Sequence, residues 1–231
     1  MSRSASRLSL VLLVVLAGFM TMPAHADSRP LAEALANTAP TLNRTVLRKA
    51  LAAMTCAVNG GMEPAERLAV IDFSKPSTEP RLWIFDLHQR TLVLEELVAH
   101  GQGSGDDIAT LFSNVSGSHQ SSIGLFRTQE SYFGQHGYSL RMDGLESGVN
   151  DLARERAIVI HGADYVNSDW IDQYGRLGRS HGCPAVSREV AGQVVDSLKD
   201  GQFLFSYYPD PEWLAASDYL NCPLAQVAQL D

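Results

Sequence analysis

Three short apolar runs between residues 68 and 98 constrain what this chain can fold into more than any other feature. Leu68 to Phe73, Leu82 to Leu87 and Leu92 to Val98 are rich in aliphatic and aromatic residues and are separated by Lys75-Pro76-Ser77 and His88-Gln89-Arg90. Runs this short, bounded by breakers, read as strands, the second and third as a hairpin. Ala157 to Ile160 reads as a buried strand ending at His161, and Phe203 to Tyr208 as a last strand. Two regions carry helical spacing instead. Residues 31 to 58 place Leu42, Val46, Leu47, Ala50, Leu51 and Met54 on one face, with Asn59-Gly60-Gly61 as a stop. Ser187 can cap a second helix bearing Val190, Val194, Val195 and Leu198, with Glu189 in its first turn, Lys199 in its last and Gly201 beyond. The stretch from His100 to Gly148, rich in Gly, Ser, Asn and Gln, predicts loops joining short strands. Its interleaved Phe112, Phe126, Tyr132, Phe133 and Tyr138 argue against disorder and for groove-forming loops. The expected class is mainly β with helices, a β-rich sandwich or barrel.

The first 26 residues read as a cleaved signal peptide. Arg3 and Arg7 form a basic start, Leu8 to Met20 an apolar stretch too short to span a bilayer comfortably, and Ala24-His25-Ala26 a cleavage site. The expected location is periplasmic or secreted, with no stable membrane anchor after cleavage. The divisions that follow are an N-terminal helical segment at 27–64, a catalytic domain at 65–212 and a C-terminal tail at 213–231. The remaining chain of about 205 residues suits one well-buried domain. It carries 16 basic residues against 26 acidic, a net charge near −10, which excludes nucleic-acid binding by bulk electrostatics. Any anionic group of a ligand must be met locally, and Arg176, Arg179 and Arg188 can do so or form a solvated surface cluster.

The chemistry concentrates in Arg179-Ser180-His181-Gly182-Cys183-Pro184-Ala185, twenty-two positions beyond His161 when counted to the cysteine. A thiol attacks as thiolate, and a histidine within reach can take its proton near neutral pH, so Cys183 and His161 are a candidate nucleophile and base. Gly182 lets a substrate approach closely, and the amides of Gly182 and Cys183 are candidate oxyanion donors. In an extended segment His181 would point to the same side as the thiol, as base, carbonyl polariser or pocket wall. Ser180 would hold the loop. Zinc binding by His161, His181 and Cys183 is the competing chemistry, but no His-Glu-x-x-His or paired Cys-x-x-Cys spacing supports it, and no cofactor is called for. With Cys183 reactive, Cys56 and Cys222 remain, either as a disulfide or as two small buried hydrophobes.

These residues resemble the signature of the L,D-transpeptidase catalytic domain, the YkuD family of cell-wall enzymes: a His, a spacer, then Ser/Thr-His-Gly-Cys. The likeness is to the subfamily in which Pro-Ala follows the cysteine, and it extends to His100-Gly101-Gln102-Gly103-Ser104-Gly105, Phe112-Ser113-Asn114 and Ile160-His161-Gly162-Ala163, covering roughly residues 65 to 210. The resemblance implies a β-sandwich core, a His161 ring held by the Gly162 carbonyl and a supporting role for His181. His100, Gly101, Ser104, Arg179 and Tyr132 are candidate substrate-groove residues. It further implies that Cys183 attacks a peptidoglycan stem peptide, expels D-Ala and leaves a thioester that an amine resolves, either another stem or a free D-amino acid. Hydrolysis would instead make the enzyme an L,D-carboxypeptidase. Carbapenem inhibitors are expected to acylate the same thiol. The rivals are a different cysteine-dependent cell-wall peptidase or amidase and a non-catalytic peptidoglycan-binding envelope protein.

Overall fold

The computed structural model describes residues 29–223; the expected signal peptide and the final eight residues lie outside them. Where one helical stretch is expected over 31–58, there are two helices, α1 (Arg29–Thr38) and α2 (Arg44–Asn59). Pro40 explains the break, because it disfavours helical backbone at Ala39 and has no N–H to continue the ladder. Asn43 restarts it, its side chain accepting from Thr45 N at 2.8 Å.

Eight strands follow: β1 (Arg67–Asp72), β2 (Leu82–Asp86), β3 (Thr91–Glu96), β4 (Gly124–Gly134), β5 (Gly137–Gly144), β6 (Val159–Ala163), β7 (Ala185–Ser187) and β8 (Phe203–Tyr207). Three more helices intervene: α3 (Ser168–Tyr174), α4 (Arg188–Leu198) and α5 (Pro211–Ala216). The strands form one sheet in the order β3-β2-β1-β8-β4-β5-β6-β7, with β1–β8 and β6–β7 parallel and the other pairs antiparallel. The expected β2–β3 hairpin is present, and Ser187 caps α4 through Val190 N.

Side-chain alternation divides the core. From β1, β2 and β8, the residues Leu68, Val70, Trp83, Phe85, Phe203 and Phe205 pack with α1, α2 and Trp213 of α5. The alternate residues Ala69, Ile71, Leu82, Ile84 and Leu204 pack with Leu140, Met142 and Ile160 from the far strands and with Val194, Val195 and Leu198 of α4. Both ends of the sheet share this second cluster, so the sheet curls around it. Ala99 and Ala185 exchange backbone hydrogen bonds of 2.8 and 3.3 Å across the gap, tying the segment after β3 to β7. The sandwich implied by resemblance thus takes the form of a single, nearly closed sheet.

Two expectations need correction, and two regions hold more regular structure than the sequence suggests. The region 100–148 holds strands among its loops as expected, but longer ones: residues 124–144 form β4 and β5, the longest hairpin of the sheet. Its composition conceals it because β4 is buried only near its start, at Gly124 to Phe126 and Thr128, beside its pairing with β8, and is exposed toward its tip. β6 begins at Val159 and continues two residues past His161. The tail expected from 213 onward begins inside α5, where Trp213 is 5% exposed and donates to Glu146 Oε2 at 2.9 Å. The spacer between His161 and Cys183 contains α3, whose N-cap Asn167 accepts from Trp170 N at 2.7 Å.

Candidate active site

The segment 180–185 is held on every side by named contacts. Ser180 Oγ accepts the Gly182 N–H at 3.0 Å and donates to the Cys183 carbonyl at 2.6 Å, closing a tight turn. Gly182 has φ 122, and a Cβ there would meet Gln120 O and Ile158 Cδ1 at 2.9 Å, so only glycine fits. Ser121 Oγ donates to Gly182 O at 3.1 Å and accepts the Gly101 N–H at 3.0 Å. Gly101 lies so close that a Cβ would sit 2.7 Å from Gly182 Cα.

Cys183 follows as the chain's free cysteine, half-buried. The parallel register His161–Ala185, carried back two residues, sets Cys183 opposite Val159. Accordingly its Sγ accepts the Val159 N–H at 3.4 Å and donates to Ala157 O at 3.6 Å. Burial pushes the thiol pKa up; the Val159 N–H and the Arg156 charge oppose that rise.

His161 is 3% exposed on β6, two residues from Val159. Its Nδ1 lies 3.1 Å from the Gly162 carbonyl. A carbonyl only accepts, so Nδ1 carries the proton and Nε2 is left as the acceptor. His136, from the β4–β5 turn, stacks on the ring with centroids 4.4 Å apart. Burial lowers the His161 pKa, and the charges of His136 and Arg188 add to the effect. No hydrogen bond joins His161 to Cys183 among the described residues; the thiol is engaged with the β6 backbone.

The other sequence candidates divide. Tyr132 lies in register with Ser139, which lies in register with His161, so all three share a face; its ring carries Arg141 at 4.4 Å. The hydrogen bonds of the Cys183 thiol go to Val159 and Ala157 and none goes to His181. The positive φ of Gly182 breaks the alternation of an extended segment, and His181 is exposed and stacked on His119 at 4.3 Å. The Gly182 amide is occupied by Ser180 and is not a free oxyanion donor, a first correction. A second concerns His100 and Ser104, both 0% exposed and therefore not groove-lining. Ser104 Oγ accepts from Ser121 N at 2.8 Å. The His100 Nδ1 accepts from the buried Arg81 guanidinium at 2.8 Å. Arg179 turns to Asp106 and the Gly105 carbonyl, both at 2.8 Å. Arg188 forks onto Asp164. Cys56 and Cys222 are bonded, their Cα atoms 6.4 Å apart, joining α2 to the chain beyond α5.

Sequence reasoning missed Arg156 and, apart from Ser113 and Asn114, the segment 113–122 that it binds. A lone arginine before a strand carries no motif; the available signal was its place three residues ahead of the strand that bears His161. Among the described residues, no cluster of three His, Cys, Asp or Glu side chains is placed to hold a metal ion. No helix among them is long and apolar enough to cross a membrane.

A comparison with curated proteins finds no match. Among solved structures, the chain is similar to an L,D-transpeptidase from Mycobacterium smegmatis, at 14% identity and TM-score 0.39, over 62% of this chain and 59% of that one. It is also similar to an L,D-transpeptidase from Xylanimonas cellulosilytica, at 16% identity and TM-score 0.35, over 65% and 67%. A third similarity is to a helical cell shape determining protein from Campylobacter jejuni, at 12% identity and TM-score 0.42, over 71% and 52%. The chain thus spans about three fifths of the length of the first of these. Residues 38–207 match the L,D-transpeptidase catalytic domain family, and since that is well over half of the sequence, the chain belongs to this family.

Proposed function

We propose that this protein is a peptidoglycan L,D-transpeptidase with Cys183 as nucleophile and His161 as base. The observation that carries the reading is a free, half-buried thiol set against Val159, on the strand whose His161 has its Nδ1 committed to the Gly162 carbonyl. That tautomer leaves Nε2 able to take the thiol proton. The thiolate then attacks the carbonyl between the third stem residue and D-Ala. A C–S bond forms, the C–N bond breaks, and the departing D-Ala amine takes the proton back from His161. An acceptor amine, from a second stem or a free D-amino acid, attacks the thioester; the new C–N bond forms, the C–S bond breaks, and the proton the amine loses passes through His161 to the sulfur. The Cys183 N–H remains the candidate oxyanion donor, because Ser180 occupies that of Gly182. Tyr132 shares the His161 face and would line the stem groove, while His181 and His119 would form another wall. Carbapenems would acylate the same sulfur, and the site of action would be the periplasm or the exterior, after leader removal.

The test is to incubate protein lacking residues 1–26, and its Cys183→Ala variant, with disaccharide-tetrapeptide and a D-amino acid, following products by mass spectrometry. Crosslinked or exchanged stems from the wild type alone are expected. Tripeptide alone would make it an L,D-carboxypeptidase. Cleavage of a different bond would indicate another peptidase or amidase, and absence of both turnover and carbapenem adduct would point to a binding protein.

A further inference from the structure

The Arg156 guanidinium makes all of its hydrogen bonds within one segment. Its Nη1 donates to Ser113 O and, at 2.6 Å, to Ser122 Oγ; its Nη2 donates to Gln120 O at 2.6 Å and Ser118 Oγ at 3.3 Å. Every acceptor is neutral, and no carboxylate pairs with this guanidinium among the described residues. The same segment braces the turn before Cys183: Ser121 holds the Gly182 carbonyl, and Gln120 O occupies the space a Gly182 side chain would need. On the other side, Arg156 directly precedes Ala157, whose carbonyl accepts from the thiol, and stands three residues before Val159, whose N–H donates to the sulfur. One side chain therefore links the two walls between which the sulfur sits.

We propose that Arg156 is a positioning residue for Cys183, clamping segment 113–122 behind the Gly182 turn and supplying the unpaired positive charge beside which the sulfur is held as thiolate. An unpaired, partly desolvated cation is worth keeping only where an anion forms, since burying charge without a partner is costly. Burial opposes ionisation of this thiol, and Arg156 is the charged side chain that counters it. The other titratable groups around the sulfur are His161 on β6 and Tyr165 just beyond it. Tyr165 is neutral near pH 7, its pKa raised to about 12 by burial and by the Cys183 charge. His161 is neutral when acting as base. The inference rests on Cys183 being the nucleophile of the proposed reaction, but its test does not require turnover.

The experiment is the rate of iodoacetamide alkylation of Cys183 against pH, followed by intact-protein mass, for wild type, Arg156→Gln and Arg156→Lys, with thermal melting alongside. In Arg156→Gln the inflection is expected at higher pH, with alkylation at pH 7 slowed roughly tenfold, the change that one pKa unit produces in the thiolate fraction. Arg156→Lys keeps the charge but not the fork, so it should retain a near-wild-type inflection. A folded Arg156→Gln protein with the wild-type inflection would overturn the proposal. If that variant does not fold, Arg156→Lys decides: a retained inflection supports the charge role, and one moved upward by a unit or more overturns it. Should the wild type turn over no stem peptide, the transpeptidase reading fails while the alkylation comparison still stands.

Discussion

Ser121 Oγ donates a 3.1 Å hydrogen bond to the carbonyl of Gly182, 61 residues further along the chain, while accepting the N–H of Gly101. One hydroxyl therefore satisfies two buried backbone groups and joins three segments behind the candidate nucleophile. Ser121→Ala leaves both groups unpaired, at a cost of about 1–3 kcal/mol for a buried orphan. Urea denaturation should show that loss, and Cys183 alkylation should change with it because the turn is no longer braced. Unchanged stability would mean that water replaces the hydroxyl.

His161 is expected to titrate below the ordinary imidazole value of about 6.5, because burial, then the charges on His136 and Arg188, disfavour its protonated form. A base acts only when neutral, so the acid limb of the rate profile should lie below that value. His136→Ala removes one of the opposing charges and should move the limb upward. NMR titration of the His161 ring checks both directions, and an apparent pKa above 6.5 in the wild type would refute this account.

His100 makes stability depend on pH. Burial first, then the Arg81 charge, push its pKa down to about 4, whereas the unfolded chain takes up that proton near 6.5. Its contribution is therefore fully present above pH 6.5 and is lost as the pH falls toward 4, amounting to roughly 3 kcal/mol. Urea midpoints measured across this window should decline. In His100→Gln, which retains an acceptor for Arg81 and does not titrate, the slope should flatten.

The Cys56–Cys222 bond closes a loop of sequence separation 166. Replacing both residues by serine, in a Cys183→Ala background that prevents thiol exchange, should cost about 2–4 kcal/mol in chemical denaturation. A loss confined to fraying of α5, detected by hydrogen exchange without a shift in the main transition, would show that the bond secures only the C-terminal end.

What the sequence determined by itself is local. Leu68 to Phe73 and Leu82 to Leu87 declare strands because continuous apolar runs of that length can be buried on both faces, and Ser187 declares a helix start because its hydroxyl reaches Val190 N without help from the rest of the fold. Cys183, Gly182 and Ser180 were legible for the same reason: their turn is built from neighbours. The tertiary structure decided whatever depends on partners distant in sequence. β4 and β5 are strands although their residues are largely polar, since the ladder from β8 through β4 and β5 to β6 supplies the hydrogen bonds that composition does not advertise. His100 looked like a groove residue until packing sealed it beside Arg81, and the choice left open for His181 among base, polariser and pocket wall now starts from its stack on His119. Arg156 carried no motif, because its partners lie in a segment some forty residues earlier that the curled sheet brings against it. A charge or hydroxyl acquires its function from what surrounds it, and in this chain those surroundings are assembled by long-range pairing.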